Sequence, residues 1–111
     1  MAGVRLDKPW TALTDDNVAR LAGELGVYQL ADGEGRIVRI GYAGGRSLFG
    51  LRGELRAALA AGEAARFRTE VTSQYLSRYE ELLMVHKADH GDLPAGNAAD
   101  SRRRLGRLSP G

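Results

Sequence analysis

The stretch GVYQLADGEGRIVRIGYA, residues 26–43, places Tyr28, Arg39 and Tyr42 around a turn. A phenol with an ordinary pKa near ~10 needs nearby positive charge before it can take up a proton at neutral pH. Arg39, Arg46 and Arg52 are the candidates to supply it. A guanidinium stays protonated, so each of these arginines is an anion-binding group and never a base. GYAGGRSLFG is a glycine-rich loop running into a helix, suited to hold an anion on backbone N–H groups. It lacks the Gly-Lys-Ser/Thr ending of a P-loop. His86 falls in an apolar stripe and reads as core, His90 sits at a helix end beside Gly91, and neither has the spacing of a zinc motif. The chain has no cysteine, which excludes disulfides and thiolate metal sites.

These groups depend on a small set of elements. LTDDNVARLAGELG opens with Thr14 as an N-cap and Asp15 and Asp16 in the first turn, and an apolar stripe of Val18, Leu21 and Leu25 predicts a helix ending at Gly26. VYQLA and RIVRIGYA are two strands around the turn DGEG. SLFGLRGELRAALAAG has helical spacing at Leu48, Leu51, Leu55 and Leu59. RFRTEVTS alternates as a third strand, and SQYLSRYEELLMVHKADHG is the strongest helix, with Leu76, Tyr79, Leu83 and His86 in one stripe. The expected fold is α/β: a small mixed three-stranded sheet flanked by helices, in the order α-β-β-α-β-α.

That order, with GVY at 26–28 and RIG at 39–41, resembles the GIY-YIG nuclease family. Tyr28 and Arg39 stand eleven residues apart, as the two motif tyrosines of that family commonly do. GYAGGRS, the arginine-bearing LFGLRGEL, YEELLMVH and the asparagine of LPAGN follow in the family's order, so the resemblance spans roughly residues 24–97. It implies a metal-dependent phosphodiesterase with Tyr28 as base, Arg52 on the phosphate, Glu80 on a single Mg²⁺ or Mn²⁺, and Asn97 as the late asparagine. Such a division of labour is physically sound: charge develops on the phosphate oxygens during attack, and a cation with a guanidinium neutralises it in place. Helical geometry favours Glu80, on the shoulder of the apolar stripe, over Glu81, which points away from it. Arg46 in the glycine-rich loop competes with Arg52 for the phosphate, and Arg39, Arg46 and Asn97 complete the expected nucleic-acid contacts.

Arg39 occupies the place where the family has its second tyrosine. Tyr42, three residues later, faces the other side of a regular strand. Two classes of function follow. Either Tyr28 suffices and the protein cuts nucleic acid, DNA in the first instance, or the site is degenerate and the protein is a nucleic-acid-binding or protein-interaction module. A docking edge would then lie near Phe67–Thr72, and Asn97 beside Gly96 would serve only the loop.

Composition sets outer bounds. With 111 residues, 43% hydrophobic and 27% charged, the chain fits one globular domain over residues 1–100 and a basic tail over 101–111. All 14 acidic residues lie before the tail, against 12 of the 16 basic ones, so a polyanion must be met by a local patch or by the arginines of SRRRLGRLSPG. No apolar run reaches the length of a membrane span, MAGVRLDKPW lacks a signal's apolar stretch, and a cytoplasmic protein is expected. One such domain has little sequence selectivity of its own, so specificity would come from substrate shape or a protein partner.

Overall fold

Thr14 does cap the first helix. Its hydroxyl accepts from the Asn17 N–H at 3.2 Å, and Asp15 and Asp16 stand where the helix dipole favours anions. In the computed structural model, which describes residues 5–97, this helix (α1, Asp15–Ala19) is only five residues long. Val18 alone of its apolar residues is fully buried, and Leu25 is 37% exposed. The segment expected to continue the helix instead docks the next one: the Glu24 carbonyl accepts from the Leu51 N–H at 2.8 Å.

The hairpin forms as its turn chemistry requires. β2 (Gly26–Ala31) and β3 (Ile37–Ala43) pair antiparallel with Tyr28 opposite Gly41 and Leu30 opposite Arg39. Asp32 Oδ1 accepts from the Glu34 and Arg36 N–H groups, both at 2.9 Å, and Gly35 takes φ +86°. α2 (Gly50–Ala61) follows, then β4 (Arg66–Val71), which pairs antiparallel with the other side of β2. A two-residue strand, β1 (Thr11–Ala12), adds to β4.

The sheet is therefore four-stranded and antiparallel between every pair of neighbours, in the order β1-β4-β2-β3, and not the mixed three-stranded sheet expected from the sequence. Two causes produce the difference. β3 and β4 run in the same direction, as a helical crossover suggests, but β2 lies between them and no parallel pair forms. β1 is too short to show any periodicity.

Side chains leave the sheet on two faces. Tyr28, Leu30, Ala43 and Phe67 pack with Val18, Leu51 and Leu55 of α1 and α2. Val27 and Ile40 pack on the other face with Tyr79 and Leu82 of α3 (Tyr75–His90). A short 3-10 turn, Ala95–Asn97, closes the free edge of β3. Its Asn97 side chain, 1% exposed, accepts from the Ile40 N–H and donates to the Ile40 carbonyl, each at 2.8 Å.

The start of α2 is unusual. Phe49 and Gly50 both have left-handed backbones, at φ 64° and 57°. A Cβ on Gly50 would lie 2.5 Å from the Gly23 carbonyl carbon, so only glycine fits there. Phe49 holds the same conformation with a full side chain, at a cost of about 1–2 kcal/mol. Leu48 lies outside α2 and is 78% exposed, against its expected place in the apolar stripe.

Candidate functional site

Tyr28 sits in the middle of the central strand, and its ring lies across Gly41. A Cβ at position 41 would come within 2.3 Å of both Cζ and Oη of Tyr28. The glycine of the second motif is thus the space that the tyrosine fills. The residue is 3% exposed, and its hydroxyl points to Glu54 Oε1 at 3.5 Å. The other Glu54 oxygen accepts from Ser47 Oγ at 3.1 Å, and that same Oγ accepts from the Gly44 N–H at 3.0 Å. Burial pushes the Tyr28 pKa up to about 12. Arg39 pulls it down, and the Glu54 and Glu63 carboxylates push it further up. Arg39 therefore acts in the direction that its charge requires and is outweighed by desolvation.

Arg39 stands on the same sheet face as Tyr28, two residues along β3 from Gly41. Its Nη1 lies 3.6 Å from Glu63 Oε2, so the guanidinium that replaces a second phenol joins an ion pair. Of the three candidate arginines, Arg39 is the one that acts on the Tyr28 phenol most strongly.

The remaining expected residues lie elsewhere. Arg52 is two residues before Glu54, about 200° around the helix, and its Nη1 donates to the Leu21 carbonyl at 3.2 Å. It lines a shallow groove of about 610 Å³ along α2 with Leu48, Phe49 and Arg56. Glu80 is exposed on α3, the helix packed against the face opposite Tyr28. Its neighbour Glu81 takes Arg78 Nη1 at 2.6 Å while Glu70 binds the same guanidinium at 2.8 Å. The buried residues of α3, Tyr79 and Leu82, place its inward face further toward position 82 than the sequence stripe does. Asn97 spends both polar atoms of its side chain on Ile40. Tyr28 and Arg39 share one sheet face; the Arg52 guanidinium is turned to Leu21, Glu80 stands on the opposite layer, and Asn97 is spent on Ile40 although Gly96 beside it lies against the Arg39 side chain.

Beside Glu54 an open groove of about 660 Å³ runs past Tyr42, Arg46, Ser47, Tyr75 and Leu76. Tyr75 anchors the glycine-rich loop: its hydroxyl accepts from the Gly45 N–H at 3.2 Å and its ring stacks on Tyr42 with centroids 5.7 Å apart. Tyr42 faces the α3 side, as its odd separation from Arg39 requires. Glu54, Ser47 and Tyr75 carry no motif in the sequence. Their roles depend on how α2 and α3 sit on the sheet, which no local pattern encodes.

Among the described residues no group of three or more His, Cys, Asp or Glu side chains converges to hold a metal ion. One carboxylate with water is a donor set that Mg²⁺ can take, but Glu80 would hold it on the layer opposite Tyr28. Among the same residues no helix is long and apolar enough to cross a membrane.

No curated protein and no solved structure matches this chain. Residues 4–89 match the model of the family described as Domain of unknown function (DUF7508), and the chain belongs to that family.

Proposed function

We propose that this protein is a nucleic-acid-binding module, related in layout to GIY-YIG nucleases, that holds the phosphate backbone without cutting it. The observation that carries this reading is the state of Tyr28. The phenol is 3% exposed, its hydroxyl points to the Glu54 carboxylate at 3.5 Å, and burial pushes its pKa up to about 12, so it keeps its proton at pH 7. It is a poor proton acceptor, and Arg39 beside it cannot take over. Hydrolysis through Tyr28, Arg52 and Glu80 needs the three in one pocket, whereas Arg52 is turned to Leu21 and Glu80 stands on the other layer.

Binding needs less. Among the described residues Arg46, Arg52 and Arg56 take part in no ion pair and line two neighbouring grooves at the start of α2. They form a local cationic patch on a body, residues 1–100, in which acidic residues outnumber basic ones, which suits phosphate contact without general polyanion binding. A protein-interaction role through the edge of the sheet has less support, since β1 pairs with β4 at Arg66 and Phe67 and Asn97 bonds the edge of β3 at Ile40.

The test combines binding and turnover. Labelled DNA and RNA should bind, with affinity falling steeply from about 50 to about 200 mM salt, and Arg46→Ala with Arg56→Ala should weaken binding and flatten that dependence. Plasmid, single-stranded and branched DNA should stay intact with Mg²⁺ or Mn²⁺, and in the Arg39→Tyr variant as well. Cutting that disappears in both Tyr28→Phe and Glu80→Ala would replace this reading with the hydrolytic one.

A further inference from the structure

We infer that Phe49 is a stacking platform for an unpaired base, which makes single-stranded nucleic acid the preferred ligand of this patch. The inference rests on the binding function proposed above and names its substrate class. Phe49 is 70% exposed at the mouth of α2, a position where burial does not explain an aromatic ring. Its backbone is left-handed, a conformation that L side chains avoid and glycine adopts freely. The next residue is glycine in the same conformation, under a steric demand. At position 49 the local geometry also favours glycine, yet the chain carries a large apolar ring held outward, and strain of this kind concentrates where a side chain must be presented.

The surroundings match one ligand chemistry. Arg52 and Arg56 line the groove that Phe49 opens, and Arg46 lies three residues before it in the glycine-rich loop. A flat hydrophobic face flanked by guanidinium groups is the arrangement that takes a base on the ring and the adjoining phosphates on the cations. Duplex bases are stacked on each other and offer no free face to the ring, so a duplex engages only the arginines. Leu48, 78% exposed beside Phe49, widens the apolar contact.

The experiment compares oligo-dT, oligo-U and a blunt duplex, each of about 15 nucleotides per strand, by fluorescence anisotropy with the full chain. Single strands are expected to bind at least about tenfold tighter than the duplex. Phe49→Gly should lower single-strand affinity by about tenfold and leave duplex affinity unchanged, with a urea midpoint at or above that of the parent because the backbone strain is relieved. Phe49→Trp should restore single-strand binding. Equal affinity for strand and duplex, or a Phe49→Gly variant that binds single strands as the parent does, overturns the platform and leaves the binding function standing. Failure of all three nucleic acids to bind, or tighter capture of an acidic peptide than of any of them, overturns both.

Discussion

In a comparison of the protein with its Tyr28→Phe variant, high pH probes the burial of Tyr28. Its phenol titrates near ~10 in an unfolded chain and at about 12 in the fold. The folded state keeps its proton while the unfolded state loses it, so the contribution of Tyr28 to stability is complete below the unfolded value. It is lost as the pH rises through the folded one. The gap of two units amounts to about 2.7 kcal/mol in total, and about 1.4 kcal/mol of it is gone by pH 11. Other groups also ionise at high pH, so the informative quantity is a difference between proteins. Urea unfolding of the parent and of Tyr28→Phe should give stabilities that converge by about 1.4 kcal/mol between about pH 9 and about pH 11. Absorbance of the phenolate should show one fewer late-titrating phenol in the variant than in the parent. Parallel stability curves, or four phenols that all ionise near ~10, would refute the burial argument and with it the case against Tyr28 as a base.

Two further perturbations test the frame around it. Gly41→Ala puts a methyl group 2.3 Å from the Tyr28 ring atoms and should lower stability by about 1–3 kcal/mol; in a Tyr28→Leu background the same change should cost clearly less, and an equal cost in both backgrounds, a coupling energy of zero, would count against the contact. Asn97→Ala strips two buried hydrogen bonds from Ile40 and should lower stability by about 1–3 kcal/mol, with faster hydrogen exchange at the Ile40 amide as the local readout and an unaltered rate as the contrary result.

What could be read from the sequence was what local chemistry enforces. The hairpin follows from Asp32 and Gly35, and α2 and α3 end at Gly62 and Gly91, both with left-handed backbones at φ 66° and 81°. β4 alternates with Phe67 inward, as its pattern predicts. The losses come from long-range geometry. α1 stops early because its downstream residues are taken by the start of α2, and β1 exists only because β4 offers it an edge. Tyr28 and Arg39 were legible as neighbours through the register of a hairpin. The carboxylate that meets the phenol was not, because Glu54 reaches it through the orientation of a helix on a sheet face.

The fastening of Asn97 to Ile40 also sets a practical limit on how the domain can be handled. The family match ends at residue 89, eight positions short of the amide that covers the outer margin of β3. A fragment trimmed to that limit would bare unpaired backbone along an otherwise well-ordered strand, ready to recruit a second molecule side by side. Expression boundaries, fusion joints and cleavage tags therefore belong beyond position 97, so that the Asn97 bonds to Ile40 are kept.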